Sequence, residues 1–307
     1  MDPALRLSVI IPHLNEPAEL RRCLASLATQ KAAGIPFEVI VVDNGSREPP
    51  RAVCAAFPGV RLEIEPVPGP GPARNRGAAV ARAPLLAFID ADCVAAPGWV
   101  GEIVGFMARR ADIAFLGGDI RILPARPDRL SAIEAYESVF SYRARFYVEH
   151  HGFAATGNMA VRADVFREVG PFGGIATMED TEWGKRASAL GHRIAYLGGA
   201  RVFTDPCASF GELARRWDRH VAHDFRKVAG HPAEILVWAA RSLAIAASPL
   251  IGIAAIVRCD RISGLRSRWL AFACLARVRL YRARRMLGLL LRDNTAAMVG
   301  SWNREKS

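Results

Sequence analysis

The sequence predicts an α/β fold with a mostly parallel sheet, flanking helices and a separate helical tail. Short apolar runs at residues 7–12, 37–43 and 85–90 suit strands that are buried on both faces. Segments with helical spacing of apolar residues separate these runs, as in crossover connections. Residues 233–307 carry 13 Lys and Arg against 4 acids, whereas residues 1–232 carry 28 against 26. We therefore predict a domain boundary after residue 232.

Composition and motifs narrow the function classes. The six cysteines are scattered and include no Cys-x-x-Cys pair, which argues against a zinc site or a disulfide framework. The Gly/Pro-rich loop at residues 66–72 is neither Gly-x-Gly-x-x-Gly nor a Walker loop. Dinucleotide-dependent oxidoreductases and P-loop nucleoside triphosphatases are therefore disfavoured.

Carboxylates follow two of the predicted buried strands. Asp43 ends one strand, and Asp90 and Asp92 end another at a spacing of two. Unpaired charge is costly inside a strand, so these side chains should lie where a parallel sheet opens into a crevice. Oxygen ligands at this spacing suit Mg²⁺ or Mn²⁺. An Asp-x-Asp turn that caps the next helix fits the same residues, so this motif alone leaves both interpretations open.

Seven short motifs follow one another over residues 7–228. Together they resemble the inverting family-2 glycosyltransferases, which bind nucleotide sugars with a GT-A fold. Each motif is weak by itself, and the resemblance depends on their order and spacing. The motifs occupy residues 9–16 (VIIPHLNE), 41–46 (VVDNGS), 73–77 (ARNRG), 88–92 (FIDAD), 156–160 (TGNMA), 179–182 (EDTE) and 215–217 (RRW).

The resemblance implies a role for each matching residue. The nucleotide sugar would be bound by Pro12, Glu16, Asp43, Arg74, Asn75, Asp90, Arg216 and Trp217. The sugar and acceptor region would be lined by Gly157, Asn158 and Glu179. Asp180 would be the catalytic base, although acids at a helix start also suit the helix macrodipole without any catalytic role. Asp92, together with Asp205, would hold Mg²⁺ or Mn²⁺ on the donor diphosphate.

Two departures from the family pattern refine the expected reaction. Leu213 stands where processive polymer synthases usually have Gln, which favours transfer of one sugar at a time. Asp205 lies where a metal-binding His is often found, so either it substitutes as an oxygen ligand or the site has fewer protein ligands. The resemblance implies inverting transfer from a nucleoside-diphosphate sugar, most often UDP-linked, to a glycan or lipid-linked acceptor. Cell-envelope or exopolysaccharide synthesis is the expected setting.

The tail combines an apolar run with an arginine-rich segment. Its longest uninterrupted apolar stretch, residues 242–257, gives about 24 Å of helix, which is shorter than the ~30 Å hydrocarbon core. Residues 258–292 carry ten arginines and one acid, and a single crossing would place them against the positive-inside rule. We predict a tail that lies on an anionic membrane surface at the cytoplasmic face. A helical subdomain packed on the core and a membrane-spanning hairpin are the alternatives.

A nucleic-acid-binding protein is the rival from another class, since the sequence pI is about 10.0. The basic excess is confined to the tail, and no nucleic-acid-binding module is recognisable. We therefore predict no nucleic-acid partner.

Overall fold

The computed structural model describes residues 4–30, 34–126, 128–175, 177–228 and 232–291. The chain forms two compact units, and each unit is discontinuous in sequence. Unit 1 is Met1–Arg121 with Tyr142–Thr204, and unit 2 is Ile122–Ser141 with Asp205–Ser307. The domain boundary after residue 232 stays a prediction.

Unit 1 is built on one eight-stranded sheet. Its strands are β1 (Leu7–His13), β2 (Phe37–Asp43), β3 (Val60–Ile64), β4 (Leu85–Ile89), β5 (Cys93–Ala95), β6 (Phe115–Ile122), β7 (Asn158–Arg162) and β8 (Ile194–Thr204). The strand order is β3-β2-β1-β4-β7-β6-β8-β5. The first four positions are parallel, as predicted, whereas β7 is antiparallel to β4 and β6, and β5 is antiparallel to β8. The sheet is therefore mixed.

Helices cover both faces of this sheet. They are α1 (Pro17–Gln30), α2 (Arg51–Ala55), α3 (Pro70–Val80), α4 (Trp99–Arg109), α6 (Ala144–His151), α7 (Ala163–Val169) and α8 (Glu179–Ala189). Two apolar clusters form the core of unit 1. The helix α3 begins within the Gly/Pro-rich loop, three residues before its predicted start, because Pro70 suits a first helical position. Gly69 precedes it with a φ of 127°, which favours glycine.

Unit 2 is helical. It contains α5 (Ala132–Phe140), α9 (Phe210–Val228), α10 (Pro232–Ala247), a 3₁₀ turn (Ser248–Gly252), α11 (Ile253–Arg258) and α12 (Gly264–Leu291). The helix predicted over residues 130–148 is interrupted after Phe140, where Tyr142 has a φ of 49°. One apolar cluster joins α5, α9, α11 and α12, and a second joins α9, α10 and α12.

The tail forms several helices within its described part. Among the described residues, one stretch, Glu234–Arg258, is long and apolar enough to cross a membrane. Its regular α-helix ends at Ala247, and a 3₁₀ turn that contains Pro249 separates α10 from α11. Most of the apolar window is exposed. Residues 292–307 of the predicted tail lie outside the described residues.

Candidate active site

The carboxyl ends of the parallel strands bring several predicted site residues to one edge of the sheet in unit 1. Pro12 lies near the end of β1, Asp43 ends β2, and Asp90 follows β4. Glu16 lies in the loop between β1 and α1 and is half-buried. This is the edge at which open α/β sheets bind ligands.

Asp43 is held in a polar cluster with two residues that sequence reasoning did not assign to the site. The parallel register places His13 beside Asp43, and His13 Nδ1 donates to Asp43 Oδ1 at 3.1 Å. His13 Nε2 accepts from the Glu16 N–H, which assigns the ring proton to Nδ1. Burial opposes ionisation of Asp43, but hydrogen bonds from His13 and Ser46 outweigh it and lower the pKa of Asp43.

Asn44 connects the end of β2 to the loop before α3. Its Nδ2 donates to the carbonyl oxygens of Glu65 and Val67 at 3.0 and 2.8 Å, and its Oδ1 accepts from the Gly69 N–H at 2.7 Å. Three polar contacts from one amide fix this loop against the strand edge. In the sequence, an Asn-Gly pair directly after a buried strand indicates a turn at this place.

Arg74 links the end of β4 to the start of α8. Its Nη2 donates to Asp90 Oδ1 at 2.6 Å, and its Nη1 donates to Glu179 Oε1 at 3.0 Å. Burial disfavours the charged guanidinium, but Asp90 and Glu179 outweigh it and raise the pKa of Arg74. The buried Nε of Arg74 has no hydrogen-bond partner in the described part of the chain. Arg74 therefore fixes two carboxylates while keeping one unused donor.

Asn75 clamps the loop that leads to α8. Its Nδ2 donates to the Phe172 carbonyl, and its Oδ1 accepts from the Phe172 N–H, both at 2.9 Å. From the other side, the Trp183 indole N–H donates to the Gly170 carbonyl at 2.8 Å. The amide of Asn75 is thus engaged by backbone, and its predicted contact with the nucleotide stays a prediction.

Asp180 lies in the first turn of α8 and is half-buried. Its Oδ1 accepts from the Thr181 N–H at 2.7 Å, while Met178, the residue before the helix, makes no side-chain cap. Burial raises the pKa of Asp180 to about 6, and neighbouring Glu179 adds to this shift. A carboxyl group with this pKa is ionised at neutral pH and is more basic than an ordinary aspartate, which suits a general base.

The three acids of this turn have different surroundings. Glu179 accepts from Arg74 at 3.0 Å. Glu182 accepts from Arg186 at 2.6 Å along the same helix. Asp180 instead accepts from the backbone of Thr181. Its role as the catalytic base stays a prediction.

Asp92 offers a hard oxygen ligand at the predicted metal position. It lies between β4 and β5 and is half-buried. Within the described residues, no group of three or more His, Cys, Asp or Glu side chains could hold a metal ion. The residues present therefore fit a divalent cation that takes part of its coordination from a ligand or from water, as Mg²⁺ often does. Asp205, the second predicted ligand, belongs to unit 2.

Gly157 and Asn158 lie where β7 begins beside β4. A Cβ atom on Gly157 would lie 2.8 Å from Asp90 Oδ2, so a side chain there would press on the carboxylate. Asn158 is buried and bound on both sides of its amide: Oδ1 accepts from Trp99, and Nδ2 donates to the carbonyls of Asp119 and Ala200. Its predicted sugar contact stays a prediction.

Arg216 and Trp217 lie on α9 in unit 2. Arg216 Nη1 donates to Glu137 Oε1 at 2.6 Å, and the side chain of Glu137 is fully buried. The Arg282 guanidinium lies over the Trp217 ring, 4.0 Å from its centroid. Their contribution to nucleotide binding stays a prediction, as does the metal role of Asp205.

Comparison with known proteins identifies the family. Residues 8–170 match the model of Glycosyl transferase family 2. This chain belongs to that family. Glycosyltransferase AglE from Haloferax volcanii is 30% identical over 216 residues, which cover 68% of this chain and 70% of AglE. Validoxylamine A glucosyltransferase from Streptomyces hygroscopicus subsp. limoneus is 41% identical over 104 residues, which cover 32% of this chain but only 23% of that protein.

Solved structures show the fold of this family 2 glycosyltransferase to be GT-A-like. Mannosyltransferase PcManGT from Pyrobaculum calidifontis, in complex with GDP-Man and Mn²⁺, aligns with a TM-score of 0.59 at 17% identity and covers 95% of this chain and 89% of PcManGT. S. aureus TarS 1-349, in complex with UDP-GlcNAc, aligns with a TM-score of 0.53 at 15% identity and covers 94% of this chain and 76% of that one. The family-2 resemblance indicated by the sequence motifs is confirmed.

Proposed function

We propose that this family 2 glycosyltransferase transfers one sugar at a time, with inversion, from a nucleoside-diphosphate sugar to an acceptor hydroxyl. The observation that carries the proposal is the Arg74 bridge between Asp90 and Glu179. It joins the ligand-binding edge of the sheet to the helix turn that holds Asp180. A donor site and a base are thus supported by one hydrogen-bonded framework in unit 1.

The donor would occupy the strand edge. Pro12, Glu16 and Asp43 would border the nucleoside, and the unused Nε of Arg74 is a donor available to a ligand oxygen. Asp92 would hold Mg²⁺ or Mn²⁺, which neutralises charge that gathers on the departing diphosphate. The UDP-linked sugars are our expected donor class, and GDP-Man, which is bound in the PcManGT complex, is the first alternative to test.

Asp180 would take the proton of the attacking hydroxyl. Attack from the face opposite the leaving group inverts the anomeric carbon. The Thr181 N–H and the anchored loop before α8 hold the carboxylate in one orientation, so little reorganisation is needed during transfer. Gly157, Asn158 and Glu179 would shape the sugar and acceptor region beside it.

We also propose that unit 2 attaches the enzyme to the cytoplasmic face of an anionic membrane, where a lipid-linked or glycan acceptor is made available for cell-envelope or exopolysaccharide synthesis. Large apolar side chains are exposed on α10 to α12. They include Leu236, Val237, Leu243, Leu250, Ile251, Val257, Leu265 and Trp269. Exposed apolar surface among arginines is typical of interfacial helices. The break after Ala247 favours a helix that lies in the interface over a straight span.

A thermal-shift panel of nucleotide sugars, with and without Mn²⁺, tests the proposal. A donor at 100 times its Kd should stabilise the protein by about 2.7 kcal/mol. Asp92→Asn should remove the Mn²⁺-dependent part of this stabilisation while leaving the melting temperature without ligand unchanged. Metal-dependent donor affinity retained in Asp92→Asn would remove the metal role from Asp92. Binding of a random DNA duplex with no response to any nucleotide sugar would favour the nucleic-acid rival.

A further inference from the structure

Unit 2 contains a second group of charged residues that the proposed transfer does not use. Arg279 and Arg282 lie one turn apart on α12. We call these two residues the arginine cluster. The guanidinium of Arg282 stacks over the ring of Trp217, so α12 supplies a cation and α9 an aromatic face at this place.

The acids near the arginine cluster already have other cationic partners. Glu137 accepts from Arg216 at 2.6 Å. Asp218 accepts from Arg285 at 2.9 Å and also from the Tyr281 hydroxyl. Asp224 pairs with Arg241 at 4.0 Å.

Arg279 and Arg282 form no ion pair with any residue that the structure describes. The Nε of Arg282 is also buried without a hydrogen-bond partner in the same residues. A buried donor that is left unsatisfied costs free energy, and so does a guanidinium without a counter-charge. The arginine cluster therefore has a surplus of positive charge together with an unused donor.

Mutual repulsion is visible in the acid–base properties of the arginine cluster. Burial lowers the pKa of Arg282 to about 10, and Arg279 and Arg241 act in the same direction, against smaller opposing effects of Tyr136 and Asp224. An anion bound here would relieve this repulsion, so the geometry and the charges favour the same kind of ligand.

We propose that the arginine cluster binds the phosphoryl group of a phosphate ester. A guanidinium presents several N–H donors in a planar fork that matches phosphate oxygens. Apolar residues of α9, α10 and α12 form a core beside the cluster, and exposed apolar residues continue along α10. The ligand can be a membrane lipid headgroup or a soluble phosphate ester, because both present the same oxygens. This inference rests on the proposed function in one respect: the ligand is taken to be either the acceptor of the transfer or a lipid that anchors the enzyme.

The test uses the full chain and two phosphate probes. The first is inorganic phosphate, titrated by calorimetry at constant ionic strength. The second is a set of phosphatidylcholine vesicles with and without phosphatidic acid, assayed by co-sedimentation. Tighter binding to phosphatidic acid vesicles than to inorganic phosphate identifies a lipid source, and equal use of the soluble probe identifies a soluble ester. Binding of neither probe overturns the proposal.

Variants on α12 separate a built site from general basicity. Arg279→Gln/Arg282→Gln should raise the Kd for the preferred probe at least tenfold. The matched control is Arg284→Gln, which removes the same kind of charge from an exposed position on the same helix. It should change the Kd by less than twofold. Equal effects of the two substitutions would overturn the proposal, since non-specific attraction depends on charge and not on position.

Two further measurements keep the test decisive. If the double variant fails to fold, Arg282→Lys retains the charge but removes the fork, and it should still weaken binding several-fold. Unchanged affinity in Arg282→Lys would overturn a fork-based site. A random DNA duplex that competes more strongly than either probe through the same arginines would also overturn it.

Asp92→Asn separates this inference from the proposed function. It should lose Mn²⁺-dependent donor binding and keep phosphate binding by unit 2. Phosphate binding that depends on Arg282, in a protein that responds to no nucleotide sugar, would leave the inference standing and remove the proposed donor. Donor binding in a protein that binds neither phosphate probe would leave the proposed donor standing and overturn the inference about the arginine cluster.

Discussion

The site of unit 1 and the arginine cluster of unit 2 differ in how their charges are paired. In unit 1, the buried charges of the site have a partner of opposite sign or a polar framework: Arg74 between Asp90 and Glu179, and Asp43 beside His13. In unit 2, Arg279 and Arg282 have no such partner among the described residues, and large apolar side chains are exposed. The charges of the unit 1 site are thus paired, whereas the arginine cluster of unit 2 keeps unpaired positive charge.

This contrast separates two tasks. A network in which the charged groups are paired keeps catalytic groups in one geometry, because each hydrogen-bonded group restrains its neighbour. A surface with unmatched cations and exposed apolar area is suited to ligands that bring anions and acyl or prenyl chains. Substitutions at the unit 1 site should therefore affect turnover or local stability, and those at the arginine cluster or the exposed apolar residues of unit 2 should affect which ligands and surfaces the enzyme binds. The following predictions test this division.

The largest expected effect is on catalysis in unit 1. Asp180→Asn keeps the shape of the side chain and its acceptor for the Thr181 N–H but removes the base. We expect turnover to fall by roughly 10²–10⁴-fold, with donor affinity unchanged and the melting temperature not lowered. Steady-state kinetics and a melting curve check both parts. Near-normal turnover, or a wild-type product that retains the anomeric configuration of the donor, would contradict the assignment.

The next largest effect concerns the buried ion pair between Glu137 and Arg216 in unit 2. Glu137→Ala leaves Arg216 without its buried partner, which should destabilise the protein by about 3 kcal/mol, the lower end of the usual range because Arg216 is partly exposed. Glu137→Gln keeps a hydrogen-bond acceptor for Arg216 and should therefore lose less stability than Glu137→Ala. Chemical denaturation measures both. Equal loss in the two variants would show that the charge of Glu137 does not matter.

The Asn75 clamp should affect stability and turnover together. Asn75→Ala removes both contacts with Phe172 and should cost roughly 1–3 kcal/mol for the unsatisfied backbone groups. Turnover should fall because the loop before α8 is released. Asn75→Asp, the matched control, keeps the acceptor for the Phe172 N–H and loses only the donor. A fall in donor affinity with unchanged stability would instead make Asn75 a nucleotide contact.

Membrane binding should depend on the exposed apolar residues of unit 2. Ile251 is 81% exposed, and Ile251→Ser should weaken partition into anionic vesicles by up to about 1.5–3 kcal/mol if the side chain is fully buried there. Ile64→Ser, at an exposed position in unit 1, is the matched control and should have no effect. Co-sedimentation measures both. High salt should release part of the bound protein, and a C-terminus protected from cytoplasmic protease would contradict interfacial binding.

The smallest expected effect is a pH dependence. The pKa of Asp180 is raised to about 6, so kcat should fall about tenfold per pH unit below that value as the base is protonated. The folded state also binds this proton more tightly than the unfolded state does. Asp180 therefore favours folding at acid pH, and this contribution is lost as pH rises through about 6. The acid limb of the rate profile should be absent in Asp180→Asn.

The sequence predicted the parallel half of the sheet well, because short apolar runs that end in polar residues are local signals. The strands β1, β2 and β4 occur where those runs were found. The short strand β5 was missed, since three residues give no periodicity. The interruption after Phe140 was missed too, because the apolar pattern continues through a residue with a left-handed backbone.

The sequence indicated the candidate site residues more readily than the residues that hydrogen-bond to them. Asp43, Asp90 and Arg74 stand out because each lies in a short motif. The contact from His13 to Asp43 depends on strand register, and the one from Asn75 to Phe172 joins residues almost a hundred positions apart. Neither follows from a linear pattern.

The discontinuity of unit 2 has a consequence for synthesis. The helix α5 leaves the ribosome well before α12, the helix that completes its apolar cluster. At ~5–20 residues per second, more than a hundred intervening residues take roughly 6–25 s. Ser131 and Glu134 form a capping box, so the start of α5 is stabilised locally during this interval. Until α12 has been synthesised, the apolar face of α5 lacks the helix that covers it. We therefore expect chaperones to bind this segment on the nascent chain.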